Sequence, residues 1–127
     1  IGAQKNRELL LERLSYRDAL TGCFNRLAFN ERLSTLTGNI DPSIIYISFD
    51  VNCLKLINDY YGHHVGDELI MGSAECLSKC LAKYGKVYRI GGDEFVALMR
   101  GTKEDLNQVL HDIELYRKKY NGTTRFE

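Results

Sequence analysis

Between Val87 and Leu98 two short apolar runs are parted by Gly91-Gly92-Asp93-Glu94, and no other stretch limits the fold as tightly. Val87, Tyr88 and Ile90 before the break, and Phe95, Val96, Ala97 and Leu98 after it, predict a β-hairpin over 87–100. Gly-Gly suits a tight connection, because the backbone there often adopts φ > 0. The same connection sets two carboxylates at a hairpin tip, where bare glycine backbone lets a ligand approach closely. A further acid, Asp50, closes the apolar run Ile44-Ile45-Tyr46-Ile47-Ser48-Phe49. If the two segments are sheet neighbours, Asp50 and Asp93 converge. Two convergent carboxylates beside open backbone can hold Mg²⁺ and a nucleoside triphosphate.

The remaining sequence bounds what surrounds this hairpin. The 127 residues suffice for one domain. At 44% hydrophobic and 27% charged residues the composition is that of a globular chain with a modest core. The formal net charge is zero, which gives no nucleic-acid footprint. No apolar run is long enough to span a bilayer, and no signal peptide is visible, so we expect a cytoplasmic segment without membrane contact of its own. A start at Ile1 rather than Met leads us to expect a fragment of a longer protein. Cys23, Cys53, Cys76 and Cys80 form no Cys-x-x-Cys pair. A zinc shared by Cys76 and Cys80 with His63 or His64 is one reading, but the usual metal spacings are missing and free thiols are expected.

Hydrophobic spacing supplies the other elements. Leu10, Leu11 and Leu14 stripe a helix over about 3–16, and residues 1–14 are expected to be a signalling or linker helix. Asp18-Ala19-Leu20-Thr21-Gly22 is turn chemistry. A helix follows from Arg26 to Leu36 and breaks over Gly38–Pro42. Ile44–Phe49, nearly all apolar, predicts a central strand buried on both faces. A short helix from Leu54 to Tyr60 ends at Gly62. His63 to Asp67 leads into another helix, with Asp67 as its simplest N-cap and Gly85 as its stop. His63 is expected to order this loop by hydrogen bonding. Thr102 opens a last helix through a capping box with Asp105. Asn121-Gly122 is expected to stop it, with a strand starting over Thr123–Phe126. The order predicts an α+β fold, a sheet with helices packed on it.

Three separated blocks then match a known family. Asp18-Ala19-Leu20-Thr21 followed by Asn25-Arg26, the stretch Asp50 to Asp59 with Gly62-His63 and Gly66-Asp67, and Gly91-Gly92-Asp93-Glu94-Phe95 together resemble the GGDEF domain of diguanylate cyclases. The resemblance covers about residues 15–127. It implies a palm-like sheet, antiparallel at its centre and similar to nucleotide cyclases and ferredoxin-like folds, with flanking helices. It also implies that two such domains face each other as a homodimer, each with one GTP, to form cyclic di-GMP and pyrophosphate under an upstream sensor domain. Relatives usually continue for some forty residues, so a truncated chain, weakly active or inactive alone, is expected.

Carried over by position, the resemblance makes Asp50, Asp93 and Glu94 the catalytic acids. Metal ligation, by Mg²⁺ or Mn²⁺, falls to Asp50, to Val51 through its carbonyl, and to Asp93 and Glu94. Gly91 and Gly92 keep the tip clear for substrate. Lys55 reaches the phosphates, with the backbone of Asn52, Cys53 and Leu54 cradling them. Asn58 and Asp67 read the guanine edge. Asn52 stands where many relatives have a second Asp, and Cys53-Leu54 where aromatics are frequent. Ala82-Lys83-Tyr84-Gly85 replaces the Arg-x-x-Asp of the family's inhibitory product site, so feedback through it is not expected. The alternative is a catalytically inactive module that binds GTP or cyclic di-GMP.

Overall fold

The computed structural model describes Arg7, residues 15–36 and residues 43–124, with side chains as far as Lys118. Seven elements follow in order: α1 (Arg26–Leu36), β1 (Ile44–Asp50), α2 (Leu54–Tyr61), α3 (His63–Leu81), β2 (Gly85–Arg89), β3 (Glu94–Arg100) and α4 (Lys103–Thr124). The three strands form one antiparallel sheet in the order β1-β3-β2. This is the expected α+β architecture.

Strand β3 is its centre. Period-two alternation sends successive side chains to opposite faces. Phe95, Ala97 and Met99 enter a core with Ile70, Ala74, Leu77 and Leu81 of α3 and Val109 of α4. Val96 enters a second cluster on the other face, with Phe29 of α1 and Tyr88. Phe29 and Tyr88 meet at a ring-centroid distance of 5.4 Å. Helices therefore cover both faces of β3.

The expectation that Ile44–Phe49 lies buried on both faces is not met. β1 pairs with β3 alone, at one edge of the described sheet, and its exposure alternates. Tyr46 is 54% exposed. An all-apolar run looks like two-sided burial, but here Tyr46 reaches only partial cover, with its ring 6.1 Å from that of Phe29.

Other boundaries also shift. α3 starts at His63, directly after Gly62, so Asp67 lies inside the helix and caps nothing. Gly62 has φ 91°, which makes the sharp elbow between α2 and α3 accessible to glycine. His63 is exposed and orders no loop through a hydrogen bond, while His64 approaches Glu68 at 3.5 Å. Gly85 does not stop α3, which ends at Leu81; it opens β2. The Thr102 box forms as expected: Thr102 Oγ1 accepts from Asp105 N at 3.2 Å, and Asp105 Oδ2 accepts from Thr102 N at 2.8 Å. α4 runs through Asn121-Gly122 to Thr124 rather than yielding to a strand at Thr123. Of the helix expected over 3–16, Arg7, Ser15 and Tyr16 are helical and the rest lies outside the described residues, as do the break at 38–42 and the strand residues after Thr124.

Candidate active site

The antiparallel register of β1 and β3 brings the acids together. Asp50 sits directly opposite Glu94. One residue on, Val51 N–H donates to the Asp93 carbonyl at 2.8 Å. Glu94, not Asp93, is thus the cross-strand partner of Asp50, and Asp93 meets β1 through its backbone. Like charges directly opposite on a sheet repel, so this pairing costs stability unless a cation lies between. Among the described residues no three His, Cys, Asp or Glu side chains gather into a metal cage of their own. A donor set of this kind suits Mg²⁺ completed by phosphate oxygens, because that ion commonly takes one or two carboxylates plus phosphates rather than an all-protein cage.

Gly91 and Gly92 join β2 to β3 without the positive φ expected of them; among the described residues the glycines with positive φ are Gly22 and Gly62. A Cβ at Gly92 would meet nothing within 4 Å, and one at Gly91 would make only ordinary contact with Glu94. Neither backbone conformation nor packing calls for glycine here. The tip is therefore open backbone.

Internal bonds hold the tip. Ile90 N and Gly91 N donate to the Glu94 carbonyl at 3.0 and 3.4 Å. Arg89 donates to the Gly92 carbonyl at 2.9 Å and to both oxygens of Asp18 at 3.2 and 3.0 Å. Thr21 donates to Asp18 Oδ2 through its backbone and its hydroxyl, at 2.9 and 2.8 Å. Burial by itself raises the Asp18 pKa, but the bonds from Thr21 and Arg89 outweigh it and hold the carboxyl below its ordinary value.

The turn after Asp50 leads into α2. Cys53 takes φ 63°, the left-handed region that a residue with a side chain enters at a cost. It is exposed, so it packs under nothing, whereas Leu54 joins the main core. No side chain caps α2, so its first-turn N–H groups have no side-chain acceptor at Cys53. Such an end attracts anions. Lys55 is exposed, with no ion pair among the described residues. One turn later Asn58 lies against Gly66, so closely that a Cβ on Gly66 would overlap the Asn58 side chain. Asn58 Oδ1 is buried and accepts no hydrogen bond. Asp67, next to Gly66, is exposed.

The structure therefore gathers Asp50, Val51, Gly91, Gly92, Asp93 and Glu94 at one end of the sheet, with Asn52, Cys53, Leu54 and Lys55 on the adjoining turn and Asn58 and Asp67 at the α2–α3 elbow. Sequence reasoning saw Asp18 as a turn residue in one of the matching blocks, and it linked neither Asp18 nor Arg89 to the other. Their contact spans 71 residues, and no periodicity links them. The thiols are free: Cys23 and Cys76 are buried, and burial followed by the neighbouring Cys80 pushes Cys76 up to about 12. No helix among the described residues is long and apolar enough to cross a membrane.

Comparison with known proteins agrees with this fold. The sequence profile described as "Diguanylate cyclase, GGDEF domain" matches residues 15–125. Diguanylate cyclase DgcM of Escherichia coli K12 is 38% identical over 110 residues, which cover 83% of this chain and 26% of that protein. The chain thus spans about a quarter of that relative's length. Among solved structures, diguanylate cyclase SiaD of Pseudomonas aeruginosa, in complex with its activator SiaC, has a TM-score of 0.72 at 30% identity, covering 91% of this chain and 46% of that one. The coiled coil and GGDEF domain of DgcB from Caulobacter crescentus, in complex with c-di-GMP, has a TM-score of 0.76 at 26% identity, covering 88% and 62%.

Proposed function

The chain belongs to the GGDEF diguanylate cyclase family, and from that premise we propose that it is the nucleotide-binding part of an enzyme condensing two GTP into cyclic di-GMP and two pyrophosphates. One observation carries the reading: two opposed acids, Asp50 and Glu94, stand beside two glycines that the fold does not need.

Asp50, the Val51 carbonyl, Asp93 and Glu94 are the groups that would hold Mg²⁺ or Mn²⁺. Bound there, such an ion lowers the pKa of a ribose 3′-hydroxyl and offsets charge on the attacked phosphate. The chain's own groups do the rest. The uncapped N-terminus of α2 and Lys55 bind the triphosphate. Asn58 Oδ1, buried without a donor, accepts from the guanine 2-amino group. The Asp67 carboxylate accepts from N1–H and the same amino group. Adenine lacks that donor pattern and leaves these oxygens unpaired, which is how such a site rejects it. Gly91 and Gly92 leave room for ribose and phosphate at the tip. A homodimer presents two such sites face to face and makes each attack effectively intramolecular. An upstream sensor, joined through the segment before Ser15, and a cytoplasmic setting complete the proposal.

The test is to incubate the longer parent protein with GTP or ATP and Mg²⁺ and separate the products. GTP is expected to yield a cyclic dinucleotide, and Asp93→Ala to abolish it. Binding of GTP without turnover would instead establish a regulatory module. Product is expected not to inhibit through residues 82–85, where a turn and Gly85 leave no Arg-x-x-Asp pair. Inhibition that is lost on changing Lys83 would contradict this.

A further inference from the structure

Arg89 is held from three directions. Its backbone N–H donates to the Phe24 carbonyl at 2.7 Å. Its guanidinium grips Asp18 and, with the other terminal nitrogen, the Gly92 carbonyl. Both members of the ion pair are largely shielded, Arg89 being 16% exposed and Asp18 22%. Arg89 Nε is buried with no acceptor. Leaving a buried donor unpaired costs roughly 1–3 kcal/mol, so stability alone is a poor reason for arginine here.

The turn that Arg89 grips is itself stiff. Asp18 N donates to the Cys23 carbonyl at 2.7 Å, and Gly22 N to the Asp18 carbonyl at 2.9 Å. Asn25 donates from Nδ2 to the Ser15 carbonyl at 2.8 Å and accepts from Ala28 N at 3.0 Å, so it ties the chain before the turn to the start of α1. At the tip, Ile90 N and Gly91 N bond to the Glu94 carbonyl and Val51 N to the Asp93 carbonyl, while the Gly92 carbonyl, one peptide before Asp93, is held by the Arg89 side chain.

We propose that Arg89 is a positioning residue: anchored by Asp18, it fixes the Gly92–Asp93 peptide and so sets where the Asp93 and Glu94 carboxylates stand for a cation. The proposal deepens the nucleotide-site reading and rests on it. A lysine keeps the charge but cannot serve both partners with one planar fork, so Arg89→Lys separates charge from geometry. Asp18→Asn removes the anchor while leaving every proposed metal ligand in place.

The experiment uses the full parent protein with Mn²⁺ and a non-hydrolysable GTP analogue. Free Mn²⁺ is followed by electron paramagnetic resonance, and backbone exchange at residues 91–93 by hydrogen–deuterium exchange. Arg89→Lys is expected to weaken Mn²⁺ binding by about tenfold, the scale on which supporting partners of metal ligands act. It is also expected to speed exchange at the tip, with the rest of the sheet unchanged. Asp18→Asn should do the same to a smaller degree, and turnover should fall in kcat more than KM for GTP rises. Unchanged Mn²⁺ affinity and tip exchange in both folded variants would overturn the proposal. If the unaltered protein binds no Mn²⁺, the cation reading fails by itself. Tip exchange in the metal-free variants then still decides whether Arg89 positions the loop.

Discussion

Gly85, at the base of the β2–β3 hairpin, lies against the Leu98 carbonyl and the Met99 Cα, and a methyl group there would strike backbone that has no room to move. At the other end, Gly91 and Gly92 have no such neighbours and no positive φ. One hairpin thus uses the same residue type for opposite reasons. At the base glycine lets two strands and a turn close on each other, so its role is spent inside the fold. At the tip glycine adds nothing to folding, and its value lies in what it leaves open. The acids follow the same division. Asp18, on the turn before α1, has its charge met by Arg89 and Thr21, while Asp50 and Glu94 stand opposite each other across the sheet end.

The base gives the largest expected effect. Gly85→Ala should cost about 3 kcal/mol, the upper range for overpacking against a rigid neighbour. Urea unfolding measures it, and a loss within error would remove the contrast between the two ends. Next comes acid. Because the folded-state pKa of Asp18 is lowered, its contribution is full above the ordinary carboxylate pKa and is lost as pH falls through the depressed value. Stability measured on acidification should therefore fall less steeply in Asp18→Asn than in the unaltered chain. At the tip, Gly92→Ala should change stability by less than about 1 kcal/mol, and in the stabilising direction, since the unfolded chain loses freedom and the folded one meets no clash. The same variant of the parent protein should turn over GTP about tenfold more slowly, a barrier rise of roughly 1.4 kcal/mol. The smallest effect is expected of Glu94→Gln, which relieves the cross-strand repulsion and should stabilise the metal-free protein by about 0.5 kcal/mol. Mn²⁺ titration of that variant should show weaker binding, and a destabilised protein would mean that Asp50 and Glu94 do not repel.

Much of this was legible in the residues. The apolar stripes of α1, α3 and α4 and the hairpin at 87–100 follow from period alone, and the Thr102–Asp105 box follows from two side chains three positions apart. Asp50 and the tip were expected to meet because each ends an apolar run. What failed depended on partners in space. Which acid stands directly opposite Asp50 was not legible at all: register decides it by one residue of offset and gives Glu94, while Asp93 meets β1 through the Val51 N–H. The cover over β1 depended on which neighbours it finds, and a run of Ile and Tyr cannot announce that. Gly85 was read as a helix stop and the tip glycines as needing positive φ, and neither holds, since steric need is visible only once the opposing backbone is in place. The Arg89–Asp18 link was invisible because two residues distant in sequence carry no shared pattern.

The four thiols are unequally available. Maleimide and iodoacetamide dyes react with the thiolate, so shielding and a raised pKa both protect a cysteine. Cys23 and Cys76 are buried, and burial raises the Cys80 thiol as well as that of Cys76. Cys53 stands exposed at the mouth of α2. A fluorophore offered to the native chain should settle there first, giving an optical reporter at the turn that enters α2 with no residue exchanged.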